Sequence, residues 1–151
     1  METVFQRIVV PFDGSPPSER ALDLARRLAG STAGSLLVMT VFERDKLAAE
    51  CATSGMGLEL SSILDSARKA SDDVVARGAA SCGTLPVRTR VVEGPIVDGI
   101  LAAAHEWGGD LIVMGSHGRS GIARLVLGSV TEGVLRRATV PVLAVRCPAS
   151  T

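Results

Sequence analysis

Residues 110–146 read DLIVMGSHGRSGIARLVLGSVTEGVLRRATVPVLAVR. Two continuous apolar runs, LIVM and the later VPVLAV, flank a glycine-rich stretch and an amphipathic segment. Unbroken apolar runs of this length are expected of strands buried on both faces, as in a parallel sheet covered by helices. Parallel neighbours need a crossover, and the segment between the runs supplies a helix at about residues 129–137. Gly115, Gly118, Gly121 and Gly128 lie between the strand and that helix. Each loses more backbone entropy on folding than another residue would, so each needs a cause. Turns are one cause, and a bound phosphate that requires close backbone approach is another.

The same alternation extends outward through the chain. Strands are expected at residues 7–12, 35–42 and 87–93 in addition to 110–115 and 140–146. The third alternates polar and apolar residues and is placed nearer a sheet edge. Pro16 opens a helix capped by Ser15. It runs to about residue 29, with Ala21, Leu24, Ala25 and Leu28 inward and with Gly30 and Gly34 as stops. A longer helix over 58–80 faces inward with Leu60, Ile63, Leu64, Ala67, Ala70 and Val74. Another follows Gly94-Pro95, with Val97, Ile100, Leu101 and Ala104 inward, and ends at HEWGGD. Residues 44–57 are mixed in composition and receive no assignment beyond a loop with a short helical turn. Five strands alternating with helices, joined by right-handed crossovers, give a doubly wound α/β sheet within one domain, residues 1–151.

Composition narrows the function classes. The 46% hydrophobic and 21% charged content is that of a folded globular chain. Sixteen basic residues balance sixteen acidic ones, so no electrostatic footprint for nucleic acid or an anionic membrane is present. Cys51, Cys82 and Cys147 share no metal-ligand spacing and suit reduced thiols. No run approaches the 18 apolar residues of a membrane span, and METVFQRIVV does not resemble a signal peptide. A cytoplasmic protein is expected.

In open parallel sheets, ligands bind beyond the carboxyl ends of the strands, where strand order reverses. The first and fourth strands end in the two most polar turns, PFDGS and MGSHGRSG. No Gly-Lys pair exists, which excludes a Walker A loop, and G-x-G-x-x-G is absent from the first turn. What remains is Gly115-x-x-Gly118, nine residues, then Gly128-Ser129 at a helix start. The glycines would admit backbone amides to an oxyanion, and the helix N-terminus would add its partial positive charge. Arg119 and Arg124 lie between. A second reading stands beside this one. Ser129-Val130-Thr131-Glu132 is also an S-x-x-E capping box, and Asp13 is at home in any turn before a helix. His105 and His117 are isolated, and His117 is read as a solvated loop residue. The cysteines lack an adjacent base. Trp107 is expected to cover a helix end. No catalytic residue is identified.

PFDGS with ERALDLARRLA, LIVMGSHGRSG, LGSVTE and the terminal PVLAVR together resemble the universal stress protein family over nearly the whole chain. The intact G-x-x-G, nine residues, G-[ST] pattern resembles that of the ATP-binding subgroup. The resemblance implies an adenine-nucleotide α-hydrolase-like sheet ordered 3-2-1-4-5, with helices on both faces. It implies that Pro11 and Asp13 lie by adenine and ribose, and that Val41 offers backbone atoms to adenine. Met114 and Gly115 would contact the ribose–phosphate side. Gly118, Gly128, Ser129 and Val130 would surround the phosphates, with Mg²⁺ or Mn²⁺ on the phosphate oxygens. A homodimer through residues 140–146 is implied as well. The expected function is an ATP-binding regulatory module of the stress response. The alternatives are a slow ATPase or phosphoryl- or adenylyl-transferase, and a dimeric adaptor with incidental nucleotide.

Overall fold

The structure, a computed structural model, describes residues 4–56, 59–117 and 127–148. Five strands are present: β1 (Arg7–Pro11), β2 (Ser35–Phe42), β3 (Val87–Glu93), β4 (Leu111–Gly115) and β5 (Val142–Val145). The helices are α1 (Pro16–Thr32), α2 (Arg44–Thr53), α3 (Leu60–Ala80), α4 (Ile96–Trp107) and α5 (Ser129–Arg137). All strand pairs are parallel, and the order is β3-β2-β1-β4-β5, as the resemblance implies. The order reverses between β1 and β4.

The unbroken apolar runs follow from the pleat, because successive side chains face opposite layers. Ile8, Val10, Leu36, Val38, Leu111 and Val113 join a core with α1 and α3. Val9, Leu37, Met39, Ile112 and Met114 join another with α4 and α5. Burying one such side chain stabilises the fold by about 1.5–3 kcal/mol. Strand β3, at the edge, has no fully buried residue.

Four local expectations need correction. Helix α1 does not stop at Gly30. It continues to Thr32 and is closed by Ala33 in the left-handed region (φ 52, ψ 37), whose amide donates to the Ala29 carbonyl. Thr32 Oγ1 donates to the carbonyls of Leu28 and Phe5, which ties this last turn to the start of β1. The glycine with a steric cause is Gly34, where a Cβ would lie 2.8 Å from the Gln6 carbonyl oxygen. The inward face of α1 is Ala21, Leu22, Ala25 and Ala29, with Leu24 and Leu28 half-buried. Residues 44–53, left unassigned by pattern, form α2. Only Cys51 of α2 is buried, so the segment has no apolar stripe to read.

Asp110 begins no strand. Its carboxylate accepts hydrogen bonds from the Gln6 and Arg7 amides (2.9 and 3.0 Å), while its own amide donates to the Arg7 carbonyl. The Arg7 guanidinium in turn stands 4.7 Å from the Trp107 ring centroid. Trp107 is the last residue of α4, and its partly buried ring packs against the core on the α4 side.

Candidate functional site

The first and fourth strand ends meet at the switch point, and each is fixed by its own short-range bonds. After β1, the Phe12 amide donates to the Met39 carbonyl. Asp13 Oδ1 accepts from the Ser15 amide at 2.9 Å, and Gly14 supplies the positive φ (+78) of the turn. Ser15 is the N-cap of α1, accepting from the Ser18 amide, while Ser18 Oγ donates back to the Ser15 carbonyl.

After β4, the backbone is stitched across to α5. The Ser116 amide donates to the Val145 carbonyl and the Gly128 amide to the Ser116 carbonyl, at 2.9 and 2.8 Å. Thr131 Oγ1, buried in the first turn of α5, donates to the Gly115 carbonyl at 2.9 Å. A Cβ on Gly115 would stand 2.7 Å from Pro17 Cβ and 2.9 Å from the Pro17 carbonyl carbon. Close packing of α1 on β4 therefore requires glycine at 115 whether or not a ligand binds.

The N-cap of α5 is Gly128, and among the described residues no side chain caps the helix. Ser129 is the first helical residue, so the S-x-x-E pattern is not a capping box here. Glu132 pairs with Arg136 at 2.6 Å instead. The amides of Ser129, Val130 and Thr131 have no acceptor within the helix, and the positive end of the helix dipole lies with them.

A cleft of about 790 Å³ opens over these strand ends, within the range of small-molecule sites. Pro11, Asp13, Val41, Met114, Gly115, Gly128, Ser129 and Val130 all line it. Gly118, with Gly121, Arg119 and Arg124, lies outside the described residues. Pattern reasoning missed several lining groups. Glu43, Lys46, Leu47 and Glu50 come from α2 and its start, Ala67, Ala70, Ser71 and Val74 from α3, and Ile96 and Ile100 from α4. His117 also lines the cleft, half-buried, with Nδ1 3.0 Å from Ser116 Oγ, and is not the solvated residue expected. Among the described residues no group of three His, Cys, Asp or Glu could hold a metal. A second cavity, about 500 Å³, lies by Gly109 and Thr139 at the opposite ends of the strands, with His105 on its wall.

An open, doubly wound parallel sheet with a ligand-sized cleft at its switch point defines the class of this molecule. Within that class the chain belongs to the universal stress protein family, whose family model matches residues 5–146. Universal stress protein MJ0531 of Methanocaldococcus jannaschii is 31% identical over 97% of this chain and 85% of its own length. The structure of MJ0577 from the same organism matches with a TM-score of 0.78 at 27% identity, covering 97% of this chain and 99% of that one. A universal stress protein solved in complex with cAMP matches with a TM-score of 0.63 at 29% identity, covering 95% and 98%. Among the described residues no helix is long and apolar enough to cross a membrane.

Proposed function

We propose that the switch-point cleft binds an adenine nucleotide, ATP by the resemblance, and that the protein acts as a nucleotide-dependent regulatory module of the stress response. The carrying observation is convergence: residues 11, 13, 41, 114, 115 and 128–130, far apart in sequence, line one cleft. Strands β2 and β4 flank β1, so Val41 and Gly115 stand about 10 Å apart at two strand spacings. That distance suits a base at one end and phosphates at the other. The phosphates would take the amides at the start of α5, joined by Gly118 as the resemblance implies. Asp13 would accept from ribose hydroxyls, and Ser129 Oγ, free of a capping role, would donate to phosphate. The cAMP complex of a relative supports an adenine nucleotide as the ligand class. With no protein cage among the described residues, a divalent ion would ride on the nucleotide's own phosphates.

Mass spectrometry of ligand released from freshly purified, denatured protein tests the reading, followed by melts of ligand-free protein with Mg-ATP, AMP and cAMP in parallel. A ligand bound only to the native state adds about 2.7 kcal/mol at a hundredfold excess over Kd. No melting shift with any of the three at millimolar concentration rejects the site. Turnover in the parent but not in Ser129→Ala would instead favour an enzyme.

We further propose a homodimer through β5. This strand lies at the sheet edge, and Leu143 is 38% exposed. The Ile112 amide donates to the Pro141 carbonyl and the Ser116 amide to that of Val145. By parallel alternation the Leu143 amide therefore points inward to β4 and the Ala144 amide outward. Leu143→Pro should unfold the protein, whereas Ala144→Pro should leave a folded monomer. Light scattering with circular dichroism reads both, and a parent that is monomeric at tens of micromolar ends the proposal.

A further inference from the structure

Helix α4 crosses the carboxyl end of β2 at Gly99. A Cβ on Gly99 would lie 2.8 Å from Val41 Cγ2, 3.2 Å from Val41 Cγ1 and 3.4 Å from Val92 Cγ1. Carbon atoms pack at about 3.5–4.0 Å, so any side chain at 99 requires Val41 to turn or α4 to lift. Val41 is β-branched and stiff at χ1. Gly99 is buried, is the fourth residue of α4 with its amide bonded to the Pro95 carbonyl, and lacks a positive φ, so its backbone conformation is open to any residue. A helix interior disfavours glycine, which leaves the contact with Val41 as its cause. Ile96 and Ile100, on either side of Gly99 in α4, line the cleft together with Val41.

We infer that Gly99 is a positioning residue that sets the width of the apolar end of the cleft by letting Val41 keep its place in the wall. The inference rests on the cleft being an adenine-nucleotide site, with the base at the Val41 end. Its consequence is specific to one end of the ligand. Gly99→Ala drives a methyl group into Val41 and closes the slot for a flat base, while the start of α5, at the other end, is untouched.

The experiment is calorimetric titration of ligand-free parent, Gly99→Ala, Val41→Ala and the double variant with ATP, with adenosine and with inorganic triphosphate. Gly99→Ala should bind ATP and adenosine about tenfold more weakly and inorganic triphosphate as the parent does. Val41→Ala, which removes both clashing methyl groups, should restore the double variant to within about threefold of Val41→Ala alone. If Gly99→Ala does not fold, the double variant decides: folded with an ATP affinity within about threefold of Val41→Ala supports the inference, and folded without it overturns it. A Gly99→Ala protein that binds adenosine like the parent overturns this inference and leaves the nucleotide reading intact. A parent that binds neither ATP nor adenosine removes both.

Discussion

Two strand-to-helix turns build the cleft, and they differ in what they do with their backbone amides. The turn from β1 into α1 is closed on itself: the Asp13 carboxylate takes the Ser15 amide and the Ser15 hydroxyl takes that of Ser18. The start of α5 has no side-chain cap among the described residues, although its sequence, SVTE, is the better match to a capping box. There the hydroxyl that is engaged belongs to Thr131, and it holds the Gly115 carbonyl of β4. One helix start is satisfied internally, while the other is anchored from behind where its first residues, Ser129, Val130 and Thr131, line the cleft. A helix start that a ligand is to complete must be held by something other than its own cap.

This contrast can be broken at its hinge first. Gly115→Ala places a methyl group 2.7–2.9 Å from Pro17 atoms that include backbone, so β4 and α1 must separate. Chemical denaturation should show a loss of about 3 kcal/mol. A loss below about 1 kcal/mol would show that α1 is not pressed onto β4.

Thr131→Val removes the anchor of α5 at nearly constant shape and leaves the half-buried Gly115 carbonyl without its hydroxyl. The expected loss is about 1–3 kcal/mol, or roughly 2–12 °C in Tm for a chain of this size. A variant as stable as the parent would mean that the hydroxyl does not hold α5.

The two serines make the sharper comparison. Ser15→Ala should lose about 0.5–1 kcal/mol, the low end for an N-cap because its bond is long, at 3.5 Å. Ser129→Ala should change stability by less than about 0.5 kcal/mol and should weaken Mg-ATP binding. Equal stability losses from both substitutions would restore the capping-box reading that the structure sets aside.

The smallest effect is alkaline and belongs to the α1 side. Cys82 is buried in the core shared by α1 and α3. Burial pushes its thiol above the ordinary 9.0, against smaller lowering influences from a Ser81 hydrogen bond and the Arg26 charge. The neutral thiol is therefore favoured in the native state. Its contribution to stability is complete below pH 9 and is lost as pH rises through the higher native value. Denaturation at pH 8 and pH 10 should show this decline, and Cys82→Ala should flatten it. The same burial should make Cys82 react with thiol reagents far more slowly than the exposed Cys147.

Much of the fold was legible because it is written in local pattern. β2 and β3 keep their expected bounds, since an unbroken apolar run or an alternating one has few other uses. Gly128-Ser129 marked a helix start because glycine, serine and a following amphipathic run leave little choice. α2 was not legible, because with Cys51 alone buried it carries no stripe. The Gly30 stop failed because packing of Ala25 and Ala29 on the sheet outweighs the roughly 1 kcal/mol that glycine costs in a helix.

The sequence by itself therefore determined the succession of elements, the polar turns at the first and fourth strand ends, and the residue types that gather there. Tertiary structure alone decided three things. Gly115 is required by Pro17, Ser129 is helical and not a cap, and Gly99 makes room for Val41. The physical reason is range. Periodicity and turn chemistry act between residues a few positions apart, whereas these contacts join positions 16 to 98 residues distant or depend on which carbonyl a neighbouring strand presents. The sequence carries the residues for such contacts, and only the packed sheet brings them together.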